Sequence, residues 1–109
     1  MTLLRRTDEL ILLAILHLED NAYGVTIRRH LMTVTGEHFS FASIYGPLDR
    51  LVKIGLARAM DGPPTKERGG RRRRLFKLNA AGIEALEEMA LIREALRFGS
   101  PKVLPGGAS

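Results

Sequence analysis

The 109-residue chain has no cysteine and no tryptophan, only four Phe and two Tyr, and three histidines. Without cysteine there are no disulfides and no thiolate chemistry, and the redox compartment leaves no trace in the sequence. His17, His30 and His38 form no close pair at metal-ligand spacing, so neither a metal nor a cofactor is expected. There is no Gly-rich phosphate loop, and the acidic residues are scattered rather than paired, which argues against an enzyme. Long apolar runs are also missing. LILLAILHL, Leu10 to Leu18, falls far short of the ~20 residues that span a bilayer. Arg5 and Arg6 precede it as in a signal peptide, but Thr7, Asp8 and Glu9 interrupt and no small-residue cleavage site follows. The run is expected to be a buried helix of a soluble, cytoplasmic protein.

What remains is one small domain's worth of chain, with an apolar fraction of 45% that suits an ordinary globular core. Thr7 is a plausible N-cap for the first helix, with Asp8 and Glu9 at the positive end of its dipole. That helix is apolar nearly all round, as in a central core helix. A second is expected from Tyr23 to Thr35, with Ile27, Leu31 and Val34 inward, Arg28 and Arg29 outward, and Gly36 as its stop. Ser40 caps a third. At 100° per residue, Phe41, Ile44, Leu48, Leu51 and Val52 share one side and Ser43, Gly46, Asp49, Arg50 and Lys53 the other. Tyr45 falls on the border. Pro47 implies a regular helix that starts near Ile44 or kinks, because an interior proline costs ~3 kcal/mol.

Gly55 ends that helix. LARAMD and RRLFKL then read as two strands joined by a long loop through Gly62, Pro63, Pro64, Gly69 and Gly70, a wing rather than a tight turn. Phe76 and Leu78 are expected to face the core, Arg73 and Lys77 to face away. Asn79 caps a last helix from Ala80 to Phe98. The fold class is mainly α with a small β-hairpin, a winged helix-turn-helix plus a C-terminal helix. Its expected divisions are a DNA-binding domain over 1–78, a dimerisation helix over 79–98 and a flexible tail over 99–109. The last helix carries more apolar surface than one domain needs. Ile83, Leu86, Met89, Ala90, Leu91, Ile92, Leu96 and Phe98 are therefore assigned to a homodimer interface.

The wing concentrates the charge. Lys66, Arg68, Arg71, Arg72, Arg73, Arg74 and Lys77 stand against one Glu67, an excess larger than the whole chain's formal +5. Such a run alone reads equally well as a solvated face. Beside a groove-sized helix it points to duplex DNA, with the wing cations on phosphates and the third helix in a major groove. Ser40, Ser43, Tyr45, Gly46, Arg50 and Lys53 are the expected contacts of that helix, with Arg50 suited to a guanine edge or to an ion pair with Asp49 or a nearby Glu. A protein-interaction module would explain the apolar last helix but not the basic wing. RNA binding would explain the charge, but the sequence lacks an aromatic-rich strand platform.

Three segments in register, AYGVTIRRHL, ASIYGPLDRLVKIGLA and RRLFKLNAAG, resemble the PadR family of transcriptional regulators over roughly Leu10 to Leu96. The carriers are Tyr23, Gly24, Ile27 and Leu31; Ser43, Ile44, Tyr45, Leu48, Leu51, Gly55 and Leu56; and Leu78, Asn79 and Gly82. The family's common Tyr-Pro pair is here Tyr45-Gly46-Pro47, with proline one place late. A single terminal helix is similar to the short-form members. The resemblance implies a homodimeric repressor, and a small-molecule effector between the first and last helices of paired subunits, near Leu13, Met89 and Ile92. Without tryptophan, that pocket cannot be built on indole stacking.

Overall fold

The computed structural model describes residues 3–64 and 72–99. Helix α1 (Arg6–Leu18) ends in a 3-10 turn (Glu19–Asn21), followed by α2 (Gly24–Thr35), α3 (Phe41–Lys53), strands β1 (Ala57–Pro64) and β2 (Arg72–Leu78), and α4 (Ala80–Phe98). This is the expected winged helix-turn-helix with one further helix. Among the described residues no helix is long and apolar enough to cross a membrane.

α1 is the hub, packing against α2, α3, β2 and α4. Its N-cap is Arg5 rather than Thr7, because Asp8 reaches back and its carboxylate accepts the Arg5 N–H at 3.1 Å. Ile11, Leu12, Ala14 and Ile15 are buried, but Leu13 and Leu16 are 43% and 51% exposed. The apolar run is therefore not enclosed all round: its neighbours leave one sector of the helix open. In α2, Ile27 and Leu31 point inward as expected, whereas Val34 is exposed near the end of the helix. Gly36 closes it in the left-handed conformation (φ +71°) and donates to the Met32 carbonyl.

Ser40 caps α3 by accepting the Ser43 N–H at 3.1 Å. Ile44, Leu48 and Leu51 are fully buried and Val52 is half-buried, but Phe41, expected among them, is exposed. The helix starts at Phe41 and runs through Pro47. The N–H that Pro47 lacks would have served the carbonyl of half-exposed Ser43, where water can replace it. After α3, Gly55 takes φ +84° and turns the chain into β1.

β1 and β2 pair antiparallel from Ala57↔Leu78 to Asp61↔Arg74, then slip by a bulge to Pro64↔Arg72. Gly62, Pro63 and Pro64 thus belong to the strand rather than to the loop. The bulge tolerates proline, and the Tyr23 ring lies close over Gly62. β2 has a second neighbour: the Phe76 N–H donates to the Ala22 carbonyl at 2.8 Å, and Tyr23 bridges Leu75. Flanked on both edges, β2 buries Leu75 as well as Phe76, on opposite faces of the strand. Lys66, Arg68 and Arg71, like the tail beyond Gly99, lie outside the described residues.

Asn79 holds the N-cap position of α4, but its side chain does not cap. It donates to the Gly55 carbonyl at 3.0 Å and accepts from Arg58 at 3.0 Å, tying α4 to the end of α3 and to β1. Gly82 lets α4 meet the Leu56 backbone. Only Gly82, Ala85 and Leu86 of α4 are buried, while Ile83, Leu96 and Phe98 are exposed. Leu86, assigned from sequence to a dimer surface, is instead part of the chain's own core.

Candidate nucleic-acid interface

Alternation along α3 leaves an outward ridge. Ala42, Tyr45, Gly46, Asp49 and Lys53 are exposed, opposite the buried Ile44, Leu48 and Leu51. Gly46 has open space where a Cβ would stand, so the helix backbone itself forms part of the surface. The Tyr45 ring lies on Gly24 of α2 and stacks on Phe41, with centroids 6.0 Å apart at 16°. Arg28 covers the other aromatic of that pair, its guanidinium 4.3 Å from the Phe41 ring centre, while its Nε donates to the Phe39 carbonyl at 2.6 Å. The α2–α3 turn is thereby pinned, and Phe41 stays outside the core.

Of the hydroxyls expected at the interface, Ser40 is the cap and Ser43 donates back to the Ser40 carbonyl at 2.7 Å. Arg50 is placed differently from a base reader. Its guanidinium forms an ion pair with Asp8, whose side chain is 3% exposed. A buried carboxylate without a partner is costly, so Arg50 fastens α3 to the start of α1. The ion-pair reading of Arg50 was available from sequence, but its partner is Asp8, far off in the chain, and not Asp49. The neighbouring Glu9, also buried, pairs with Arg93 of α4. Two successive carboxylates in the first turn of α1 thus hold two different helices.

Grooves open on both sides of the ridge. One, between α1 and α3, is lined by Arg5, Arg6, Ser43, Gly46 and Arg50. The other, between α2 and α3, is lined by Arg28, Arg29, Met32, Phe41 and Tyr45. The exposed Arg5–Arg6 pair and the Arg28–Arg29 pair therefore flank α3, a site feature that sequence reasoning missed. The signal was present as two Arg-Arg dipeptides, one at the start of α1 and one in the middle of α2.

The base of the wing meets the same region. Arg74 approaches Asp49 at 3.9 Å, both side chains exposed, and its guanidinium lies 5.7 Å from the Phe76 ring centre. Arg73 lies over the Tyr23 ring at 4.7 Å. Lys77 hydrogen-bonds to Asp20 and holds its carboxyl below the ordinary value of 3.8. Arg73 and Lys77 do face away from Phe76, but they cover the α1–α2 junction rather than standing free. Arg72 is in β2 by its backbone. His17 and His30, far apart in sequence, stack with ring centres 4.9 Å apart between α1 and α2. Among the described residues no three His, Asp or Glu side chains gather as a metal site would require.

A helix-turn-helix whose second helix presents an open ridge, flanked by arginines and followed by a basic hairpin, defines the winged-helix class of DNA-binding regulators. The family model for the PadR-like transcriptional regulators matches residues 12–88. The chain belongs to that family and is a transcriptional regulator rather than an enzyme. No curated protein matches the chain. Among solved structures it is similar to a PadR-like transcription factor from Bacteroides fragilis (21% identity, TM-score 0.66, covering 86% of this chain and 88% of that one). It is also similar to RosR of H. salinarum (25% identity, TM-score 0.66, 91% and 81%). A third similarity is to the ORC1 protein of Aeropyrum pernix in complex with DNA (25% identity, TM-score 0.62), where it covers 84% of this chain but 26% of that protein.

Proposed function

We propose that the chain is a sequence-specific, cytoplasmic and nucleoid-associated regulator that binds duplex DNA as a homodimer and represses transcription. The observation that carries the reading is the α3 ridge set between two arginine-lined grooves, with the wing strands at its far end. α3 enters a major groove at its smooth Ala42–Gly46 surface. Arg5, Arg6, Arg28, Arg29 and the wing cations Lys66, Arg68, Arg71, Arg72 and Arg74 neutralise the flanking phosphates, which supplies affinity. The DNA complex of the Aeropyrum pernix protein supports the reading by similarity of fold.

The homodimer reading rests on α4 and the open sector of α1. Leu13, Leu16, Ile83, Leu96 and Phe98 are exposed, and Met89, Leu91 and Ile92 are half-buried, an apolar surface that its own domain does not cover. Family resemblance adds an effector. A small molecule between α1 and α4 of paired subunits would meet exposed Leu13 and half-buried Met89 and Ile92.

The test is salt dependence. Replacing Arg71 with Ala should lower the slope of log K against log salt by about 0.9 for the lost phosphate contact, with sequence preference unchanged. An unchanged slope for every wing variant would remove the wing from the interface.

A further inference from the structure

We propose that Asp49, and not Arg50, is the base-reading residue of α3, and that it selects a cytosine in the major groove; this rests on the DNA-binding reading above. The assignment follows from which side chains on the ridge are still free to read an edge. Ala42 and Gly46 have no polar group to offer. Tyr45 is stacked on Phe41 and lies over Gly24. The Ser43 hydroxyl is turned back to the Ser40 carbonyl, and Arg50 is held by Asp8. Asp49 and Lys53 remain, and only Asp49 lies on the middle of the ridge, its side chain 64% exposed.

An aspartate is short, so it reads a base only where the helix backbone comes close. Gly46, one turn before, has open space at its missing Cβ, and Ala42 precedes it on the same stripe. Together they let the helix seat deeply enough for a two-carbon side chain to reach. A carboxylate near phosphates is repelled unless cations stand beside it. Arg74 from the wing strand is 3.9 Å away, and Lys53 follows one turn later on the same face. The ionised carboxylate only accepts hydrogen bonds. In the major groove, guanine presents O6 and N7 and thymine presents O4, all acceptors that repel it. Adenine offers its N6 amino group beside the N7 acceptor, which opposes the second carboxylate oxygen. Cytosine offers the N4 amino group without that neighbour.

The experiment is selection from a randomised duplex library with the purified full chain, comparing wild type, Asp49→Asn and Asp49→Ala. Asp49 is exposed, so both variants should fold, which circular dichroism will confirm. The wild type should select a fixed cytosine in each half-site. Asp49→Ala should lose preference at that position alone, by about 5- to 100-fold, and Asp49→Asn should move it toward adenine. Variants that keep the wild-type preference at every position overturn the assignment while leaving the DNA-binding reading intact. So do variants that bind all sequences more tightly by one common factor, because Asp49 would then act only as a repulsive charge. A wild type that selects no sequence overturns sequence-specific reading itself, and this assignment with it.

Discussion

A methyl group added at Gly82 would press into the Leu56 carbonyl oxygen, part of the backbone, at the junction where α4 meets the end of α3. Nothing there yields easily, so Gly82→Ala should cost about 1–3 kcal/mol, read as a lower urea midpoint. Gly46 is the opposite case. Its missing Cβ faces open space, and alanine suits a helix interior better, but Pro47 follows directly and a Cβ before proline is disfavoured in a helix. The two effects offset, so Gly46→Ala should change stability by less than about 1 kcal/mol. The same methyl stands on the surface assigned to the DNA groove, so affinity for a selected site should fall as stability holds. Gly82 was legible in sequence as part of a Leu-Asn-x-x-Gly segment. The partner of Arg50 was not, because spacing reports neighbours one turn away and Asp8 reaches Arg50 only through the fold.

At the scale of elements, the first turn of α1 is a clasp: Asp8 holds α3 through Arg50, and Glu9 holds α4 through Arg93. Arg50→Ala leaves the Asp8 carboxylate buried, with the Arg5 N–H as its remaining hydrogen bond. Because the Arg50 side chain as a whole is 39% exposed, the loss should be about 1–3 kcal/mol rather than that of a fully buried pair. Chemical denaturation measures it, and sequence preference should survive, since the variant removes a clasp and not a reader. The wing is fixed to the α1–α2 junction by Lys77 and Asp20. The Lys77 hydrogen bond and charge lower the Asp20 pKa. Its contribution is therefore complete above the ordinary carboxylate value of 3.8 and is lost as pH falls through the lowered folded-state value. Following the Asp20 carboxyl by NMR, Lys77→Ala should bring its midpoint back up to about 3.8. Helix and strand order were readable from periodicity and caps, and α4 ends where Gly99 turns left-handed. The exposure of Phe41, Val34, Leu13 and Leu16 was not, because a pattern shows which residues are apolar but not how many elements arrive to cover them.

For the whole molecule, the distribution of charge and apolar surface says more than the net charge. Arginine pairs from the start of α1 and from α2 flank the α3 ridge, basic wing residues follow it, and α1 and α4 leave Leu13, Leu16, Ile83, Leu96 and Phe98 uncovered. The basic wing was visible in the sequence as a run. The two Arg-Arg pairs were visible as dipeptides but their flanking of α3 was not, because residues 5–6 and 28–29 come beside α3 only after α1 and α2 pack on it. On the proposed reading one part of the surface meets DNA and another a second copy, and a two-fold dimer would then set two ridges on successive turns of one DNA face, ~34 Å apart. The most direct test is capture of genomic DNA fragments by the purified protein at near-physiological salt, followed by sequencing. The account predicts a palindromic site whose half-sites are centred one helical turn apart. Weak binding, spread over all fragments and abolished by modest salt, would contradict it.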